Sequence, residues 1–368
     1  MNTLVELVNN VETVRTVAGG EKLQSKWNET IEDQSKTAMS ARSIMNFAVT
    51  FAQTSLQISQ TGIVCYGVVL VGALDITSGA LIACVILSGR ILSPLVQAGT
   101  LLTRLNSALA AFKKVDELMQ TTSKDEATKD NLAIKIRSGD IKVSDLGYQV
   151  EDSEIIKNIS FDINDGEKVG IVGNLGCGKT TLLRTIIGYY ESTKGIINID
   201  GYDIKNLPSS ALRENIGYVP QTTQLFSGTI YDNIVAGFPG VEEDDVIQAC
   251  DLVNAHKFIG SLPGGYNYEI YDNGVNLSGG QRQSIALARC LLRKPKIMVL
   301  DEPTSSMDSN AEKMIINNLF NLDYNPTILI STHKLSYLLN VDKVALIVDG
   351  RLQNFGHPSQ IIKVNNDD

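Results

Sequence analysis

The chain has 368 residues, of which 43% are hydrophobic and 20% charged, and its formal net charge is -9. Single domains usually contain about 100 to 200 residues, so we expect more than one domain. The acidic balance, with Lys and Arg scattered along the chain, argues against a basic nucleic-acid-binding surface, and no nucleic-acid partner is expected. The five cysteines are far apart and form no CxxC pair, which predicts reduced thiols.

The first part of the chain, residues 1–43, is polar and predicts helices. Its apolar residues recur at helical spacing and form a single stripe. The stripe consists of Leu4, Leu7, Val11, Val14 and Val17. This part contains no apolar core of the signal-peptide kind, so nothing in it indicates cleavage.

Two apolar stretches, at about residues 44–74 and 80–102, predict a hairpin of membrane helices. No charged residue lies between Arg42 and Asp75, and a run of that length can cross a bilayer core. A bend is expected at Pro94 in the second helix. Basic residues flank the hairpin and are absent from its turn, which predicts that both ends face the cytoplasm. The alternative is a pair of buried helices in a soluble protein.

Residues 121–133 are polar and charged, which predicts a linker, and the composition then changes. Over residues 134–368, short apolar runs alternate with helical stretches. The clearest runs are residues 168–173, 296–300 and 327–331. Continuous apolar strands between helices predict a parallel α/β core.

Residues 173–180, GNLGCGKT, fit the phosphate-binding loop pattern G-x-x-x-x-G-K-[ST], and they follow a predicted strand and precede a predicted helix. Glycines let backbone N–H groups point at phosphate oxygens, and the helix adds the positive end of its dipole. We expect Lys179 to contact the β and γ phosphates and the Thr180 hydroxyl to bind Mg²⁺. The candidate nucleotide-binding residues here are Gly173, Asn174, Gly176, Cys177, Gly178, Lys179, Thr180 and Thr181. Because Cys177 lies inside the loop, its alkylation is expected to block ATP.

An apolar strand, residues 297–300, ends in two acids. Asp301 is predicted to support Mg²⁺ from the strand tip. Glu302 is predicted to lie beside the attacking water as a base or orienting group. The segment PTSSMD at residues 303–308 favours this interpretation over an ordinary strand that ends in acidic turn residues.

Residues 277–281, LSGGQ, resemble the signature motif of ATP-binding cassette (ABC) proteins. A serine and two glycines at a helix N-terminus form a second anion site. The resemblance implies that this turn faces the γ phosphate held by a partner subunit, so that two cassettes sandwich ATP. The residues concerned are Ser278, Gly279, Gly280 and Gln281. The alternative is a flexible turn.

The same resemblance implies roles for four further residues. Gln221 matches the glutamine that senses Mg²⁺ and water, and Asp308 matches the loop that crosses to the opposite site. His333 matches the switch histidine that contacts the γ phosphate. Tyr148 resembles the aromatic residue that stacks on adenine, although an ordinary strand aromatic is the alternative. The expected catalytic residues are thus Glu302, His333 and Gln221, and the expected metal ligands are Thr180, Gln221 and Asp301.

The expected fold class follows from this resemblance: an α/β P-loop NTPase cassette with a parallel-sheet core and a helical subdomain, preceded by an all-α membrane segment. Membrane helices before a cassette are the exporter arrangement. The chain is similar to type I secretion permease/ATPases, which export proteins or peptides, and lipid and multidrug exporters are the alternatives. The resemblance implies an ATPase that uses ATP and Mg²⁺, in a multi-pass protein of the inner (cytoplasmic) membrane, with its ATPase domain in the cytoplasm.

The expected partners are a second cassette, from a homodimer or a full-length half-transporter, and membrane lipid, with a periplasmic adaptor and an outer-membrane channel for a type I system. Residues 1–43 would contain coupling helices. Such exporters have six helices per half, so four are expected to be missing before Met1, either because the chain is a fragment or because it is a truncated product. Two other classes remain: a soluble cassette ATPase acting on ribosomes or DNA, and a non-catalytic regulatory fragment.

Overall fold

A computed structural model describes residues 20–129, 136–236, 238 and 240–361 of the protein. The chain divides between Thr121 and Thr122 into two compact units. The predicted apolar stripe at residues 4–17 and the end of the predicted linker, residues 130–133, lie outside the described residues.

The first unit contains the long helix α1 (Gly20–Gly72) and most of a second long helix, α2 (Ser78–Lys129), which follows it after a short turn. Within the described residues, one segment, Val49–Gly72, is long and apolar enough to cross a membrane, and Ser78–Ile91 is a shorter apolar segment. Large apolar side chains such as Val68 are exposed along this segment. Exposed apolar surface of this extent indicates contact with lipid or with further helices.

Both helices extend beyond the predicted membrane segments. Residues 20–43 belong to the same helix as the apolar segment, and α2 is helical on both sides of Pro94 and continues to Lys129. The polar residues 121–129, predicted as a linker, are therefore helical. Lys, Glu, Gln and Ala are good helix formers, so a change from apolar to polar residues ends the lipid-facing segment without ending the helix.

The second unit is built on a six-stranded sheet with the strand order β12-β11-β3-β10-β9-β6. Its strands are β3 (Lys168–Val172), β6 (Ile216–Val219), β9 (Ile297–Asp301), β10 (Thr327–Ser331), β11 (Lys343–Val348) and β12 (Arg351–Gly356). The neighbours from β11 to β6 are parallel, and β12 adds an antiparallel edge. The predicted parallel core is confirmed, with this edge strand as an addition.

The other strands of this unit form a four-stranded antiparallel sheet and a two-stranded ribbon. The first has the order β2-β1-β4-β5, from β1 (Ile141–Val150), β2 (Ser153–Ile163), β4 (Lys194–Ile199) and β5 (Tyr202–Asp203). The ribbon pairs β7 (Gly228–Thr229) with β8 (Glu269–Ile270). One hydrophobic cluster joins the antiparallel sheet, the central sheet and the helix after β3, through residues such as Ile159, Ile171 and Leu182.

The helices of this unit are short. They are α3 (Lys179–Ile186), α4 (Ser209–Asn215), α5 (Ile230–Val235), α6 (Glu243–Leu252), α7 (Ala255–Ser261), α8 (Gly279–Leu292), α9 (Ser309–Phe320), α10 (Leu335–Leu338) and α11 (Pro358–Ile361), with 3-10 turns at Ile204–Asn206, Gly265–Asn267 and Asp272–Gly274. Helices α5 to α8 share a second hydrophobic cluster with the central sheet, through residues such as Ile234, Val246 and Ile285. This helical group corresponds to the predicted helical subdomain.

The central strands determine where polar residues can meet. Strands β9 and β10 are buried along their whole length, and β10 lies between β3 and β9. The carboxyl ends of parallel strands meet at one edge of the sheet, which is where open α/β sheets bind ligands. The residues after β3, β6, β9 and β10 therefore form one site.

Candidate functional site

The predicted phosphate-binding loop lies between β3 and α3, with Thr180 and Thr181 in the first turn of the helix. Gly178 precedes the helix with a positive φ of 102°, a conformation that favours glycine. A Cβ at Gly173 would overlap the carbonyl oxygen of Ile347. The glycines at these two positions are thus required by the backbone, and the loop can form the expected cradle of N–H groups.

Lys179 is buried and its ammonium group lies over this cradle. The Nζ atom donates hydrogen bonds to the carbonyl oxygens of Gly173 (2.8 Å) and Asn174 (3.1 Å). Both acceptors belong to the loop itself, so the positive charge is held where the phosphates of a nucleotide would lie.

Cys177 is only 7% exposed, beside Gly173. We expect N-ethylmaleimide to modify it at least about tenfold more slowly than a free thiol such as glutathione in the same solution, since a buried thiol is inert. Once modified, the loop should no longer bind ATP, because the adduct fills the cradle. Mass spectrometry of each site, read against ATPase rate, tests this. The remaining activity of Cys177→Ser should be insensitive to the reagent, and full activity after complete modification of Cys177 would contradict the prediction.

Glu302, the residue after β9, is the centre of the polar cluster. Its Oε1 lies 2.7 Å from His333 Nε2, and its Oε2 accepts a hydrogen bond from Gln221 Nε2 at 3.0 Å. The structure therefore brings the three predicted catalytic residues together. Glu302 also has a positive φ of 46°, a sparsely populated conformation that for a non-glycine residue is found at functional sites.

Asp301 occupies the last position of β9 and is buried. Its Oδ1 accepts a hydrogen bond from the Ser331 hydroxyl at 2.6 Å, whereas its Oδ2 is buried without a hydrogen-bond partner. A buried carboxylate oxygen without a partner is costly. A divalent cation, or water bound to one, is a partner of the right charge, so Asp301 fits a Mg²⁺ site.

The other two predicted metal ligands, Gln221 and Thr180, are located by the elements and contacts around them. Gln221 contacts Glu302 through its amide nitrogen, and Thr180 lies in the first turn of α3. No group of three or more His, Cys, Asp or Glu side chains that could hold a metal occurs in the described part of the chain. Mg²⁺ commonly uses one or two carboxylates together with waters and substrate phosphates, so a single carboxylate such as that of Asp301 can take part in such a site.

The signature turn begins α8. The Ser278 side chain accepts a hydrogen bond from Gln281 N, and the Gln281 side chain accepts one from Ser278 N at 2.9 Å, which is a capping box. Gly279 and Gly280 lie against Ser306, where a Cβ would come within 3.0 Å. Glycine at both positions thus allows the signature turn to pack against the loop that leads to Asp308.

Asp308 caps α9, where its Oδ1 accepts hydrogen bonds from Asn310 N (3.0 Å) and Ala311 N (2.9 Å). The bond from Ala311 is the main reason why the pKa of Asp308 lies below its usual value. Ser278, Gly280 and Asp308 line a shared cavity of about 470 Å³. Within one cassette, the predicted residues thus form two groups, one around Glu302 and one around Ser278.

Tyr148 lies in β1 opposite Ile156 of β2, and its ring stacks on Tyr190 with centroids 5.2 Å apart. Arg184 donates hydrogen bonds to the hydroxyl groups of Tyr218 (3.3 Å) and Tyr190 (3.0 Å), which raise the pKa of its guanidinium group. Since one face of the Tyr148 ring is occupied by Tyr190, an adenine would stack on the opposite face.

Two further residues, Ser331 and Gln283, organise this site and were not predicted from the sequence. Ser331 donates to Asp301 through its hydroxyl, which also accepts a hydrogen bond from Glu302 N at 2.9 Å. Gln283 donates to Ser305 Oγ (3.0 Å) and accepts from Ser306 N (3.0 Å), and so links α8 to the loop after β9. The position of Ser331 at the end of an apolar strand was the available signal, because such strand ends meet at one edge.

Comparisons with known proteins cover both units. A family model described as ABC transporter matches residues 156–305, and one described as ABC transporter transmembrane region matches residues 1–95. A cyclolysin secretion/processing ATP-binding protein of Bordetella pertussis is 30% identical over 355 residues, 96% of this chain and 50% of that protein. A putative multidrug export ATP-binding/permease protein of Staphylococcus aureus is 40% identical over 231 residues, 62% of this chain and 40% of that protein.

A solved structure of a bacterial Atm1-family ABC exporter with ATP bound has the same fold. Its TM-score is 0.89 at 24% sequence identity, over 99% of this chain and 64% of that one. The chain spans about half the length of the curated relatives that it matches along most of its own length.

Proposed function

We propose that this chain, which belongs to the ATP-binding cassette transporter family, hydrolyses MgATP in a site shared by two cassettes and couples hydrolysis to export of a protein or peptide. The observation that carries the proposal is the Glu302 carboxylate, held between Gln221 and His333 beside Asp301. A carboxylate fixed from both sides, next to a phosphate-binding loop, can orient a water molecule and accept its proton.

Each residue has a distinct part in this proposal. Lys179 and the N–H groups of its loop bind the triphosphate, and Tyr148 stacks on the base. His333 contacts the γ phosphate and keeps Glu302 in place. Mg²⁺, when bound near Asp301 and Thr180, would neutralise charge on the phosphates. The chain's contribution is thus mainly positioning and electrostatic stabilisation, as is general for phosphoryl transfer.

The division of the site residues into two groups supports a site made by two chains. Ser278 and Asp308 line a cavity that is lined by none of Lys179, Asp301 and Glu302. An exposed signature turn at a helix N-terminus can bind the γ phosphate of a nucleotide held by a second copy. In this arrangement each of the two sites combines one copy's phosphate-binding loop with the other copy's Ser278 turn.

Dependence of ATPase rate on protein concentration tests the shared site. If two cassettes must meet, the specific activity of the purified, solubilised chain should rise with protein concentration and reach a plateau. At the dilute end, the rate of ATP hydrolysis should vary with the square of the protein concentration. A constant specific activity upon dilution of monomeric, ATP-bound protein would contradict the proposal. Activity only after addition of a full-length half-transporter would instead support the regulatory-fragment alternative.

Protein or peptide export is favoured by the similarity to the cyclolysin secretion protein, and it would place the chain in the inner membrane with its cassette in the cytoplasm. A periplasmic adaptor and an outer-membrane channel would then be partners. Multidrug export is the second candidate, favoured by the 40% identity to the multidrug export protein.

The apolar segment Val49–Gly72 disfavours a soluble cassette. Alkaline extraction releases soluble proteins from membranes, so it distinguishes a membrane-embedded exporter from a soluble cassette.

A further inference from the structure

Glu312 is a buried acid of α9, with only 2% of its surface exposed. Both of its carboxylate oxygens have partners: Oε1 accepts a hydrogen bond from the Thr304 hydroxyl at 2.9 Å, and Oε2 forms an ion pair with Lys334 Nζ. A buried charge is tolerated only when it is paired and hydrogen-bonded in this way. Loss of either partner therefore has consequences that loss of a surface ion pair lacks.

The partners of Glu312 lie next to the two central residues of the hydrolysis site. Thr304 is two residues after Glu302, and Lys334 directly follows His333. One buried carboxylate thus bonds both the loop after β9 and the loop after β10. These are the loops whose side chains meet in the 2.7 Å contact between Glu302 and His333.

His333 needs such support. Its side chain is 44% exposed, and in the described part of the chain its polar partner is Glu302. An exposed imidazole is poorly fixed by packing, so its position depends on the backbone on either side of it. The Thr332 hydroxyl accepts a hydrogen bond from Lys334 N at 3.1 Å, and the Lys334 side chain is tied to Glu312.

We propose that Glu312 and Lys334 are positioning residues that hold His333 against Glu302, an inference that rests on the proposed function. Glu312 lies in the first turn of α9, where its backbone N–H donates to the carbonyl of the capping residue Asp308 at 2.9 Å, so its side chain starts from a fixed helix end. Neither residue touches the nucleotide in this assignment. Their contribution is the geometry of the Glu302–His333 pair.

The first test is Lys334→Met in the full chain. The change leaves the buried Glu312 carboxylate without its basic partner, so circular dichroism and thermal unfolding first check that the variant is folded at the assay temperature. We expect kcat for ATP hydrolysis to fall at least about tenfold with KM for ATP within about twofold, since Lys179 and its loop bind most of the triphosphate and the Glu302–His333 pair acts mainly on the transition state. Lys334→Arg keeps the charge and should restore kcat, and Glu312→Gln, which keeps an acceptor for Thr304, should reproduce the loss.

Lys343→Met is the matched control. Lys343 Nζ pairs with Glu167 Oε2 at 2.7 Å in the same cassette, but both residues lie at the amino ends of their strands, at the opposite edge of the central sheet. Its loss removes a comparable ion pair away from the site. Neither kcat nor KM should change in this variant.

A double-mutant cycle with His333→Ala separates positioning from a general structural role. If Lys334 acts through His333, Lys334→Met should lower the residual rate of His333→Ala no further. Multiplying losses, or an unchanged kcat in Lys334→Met, would overturn the inference. Glu302→Gln in the same assay distinguishes failure of the proposed function from failure of the positioning role. If Glu302→Gln retains turnover, the proposed function is wrong. If Glu302→Gln abolishes turnover and Lys334→Met has a normal kcat, only the positioning role of Lys334 is wrong.

Discussion

Replacement of Glu302 by glutamine is expected to lower kcat for ATP hydrolysis by about 10²- to 10⁴-fold, the usual contribution of a positioned general base. The amide keeps the size of the side chain and can still accept a hydrogen bond from His333 or Gln221. It can no longer take a proton from water. The loss should therefore appear in turnover and not in ATP binding.

Measurement of both quantities on one preparation checks this prediction. Binding of a fluorescent ATP analogue should be retained, and phosphate release should fall. Glu167→Gln is a suitable control, since Glu167 also has a carboxylate oxygen 2.7 Å from a basic nitrogen, that of Lys343, but lies at the other edge of the sheet. Undiminished turnover in Glu302→Gln, with the control unchanged, would remove Glu302 from its assigned role.

Local sequence patterns predict the parts of this site that lie within a few residues of each other. The sequence GNLGCGKT contains its own turn and helix start directly after a strand, and Gly178 adopts a positive φ that suits glycine. The acids Asp301 and Glu302 follow an apolar strand that is buried throughout. These features depend on backbone geometry over about ten residues, and short-range geometry is what a motif encodes.

Contacts between residues far apart in the chain were harder to predict from the sequence. Ser331 and Asp301 are 30 residues apart, and Thr304 and Glu312 meet Lys334 across two loops. These contacts exist because β10 lies between β3 and β9, and strand order is not given by the order of the strands in the chain. Glu312 also carried no motif, because a single acid in an amphipathic helix is usually solvated.

The helical unit shows a different limit of sequence patterns. Hydropathy predicted where apolar segments end, at about residues 74 and 102, but α2 continues to Lys129. A change from apolar to polar residues marks the end of the segment that can lie in lipid. A helix ends where its backbone hydrogen bonding ends. In α2 these two boundaries are separated by a polar helical stretch, so composition alone predicted a linker there.

Mixing two inactive variants should restore ATP hydrolysis. Lys179→Ala removes the phosphate-binding ammonium, and Ser278→Arg places a bulky cation in the exposed signature turn, so each variant alone should be inactive. In a mixed dimer, the Lys179 of one chain faces the Ser278 of the other, and one of the two sites is fully intact. Random pairing of equal amounts should then recover about a quarter of wild-type activity if the sites act independently.

The pattern of recovery distinguishes a shared site from one contained within a single chain. If Lys179 and Ser278 served the same nucleotide within one copy, each chain of the mixture would carry one disabling substitution in its own site and no activity would return. A mixture of Lys179→Ala with Glu302→Gln is the control, because both residues belong to the same half of the site. In that mixed dimer each site keeps one defect, so activity should stay at background. Recovery in the first mixture alone therefore requires that the triphosphate is bound by one copy and contacted by the Ser278 turn of the other.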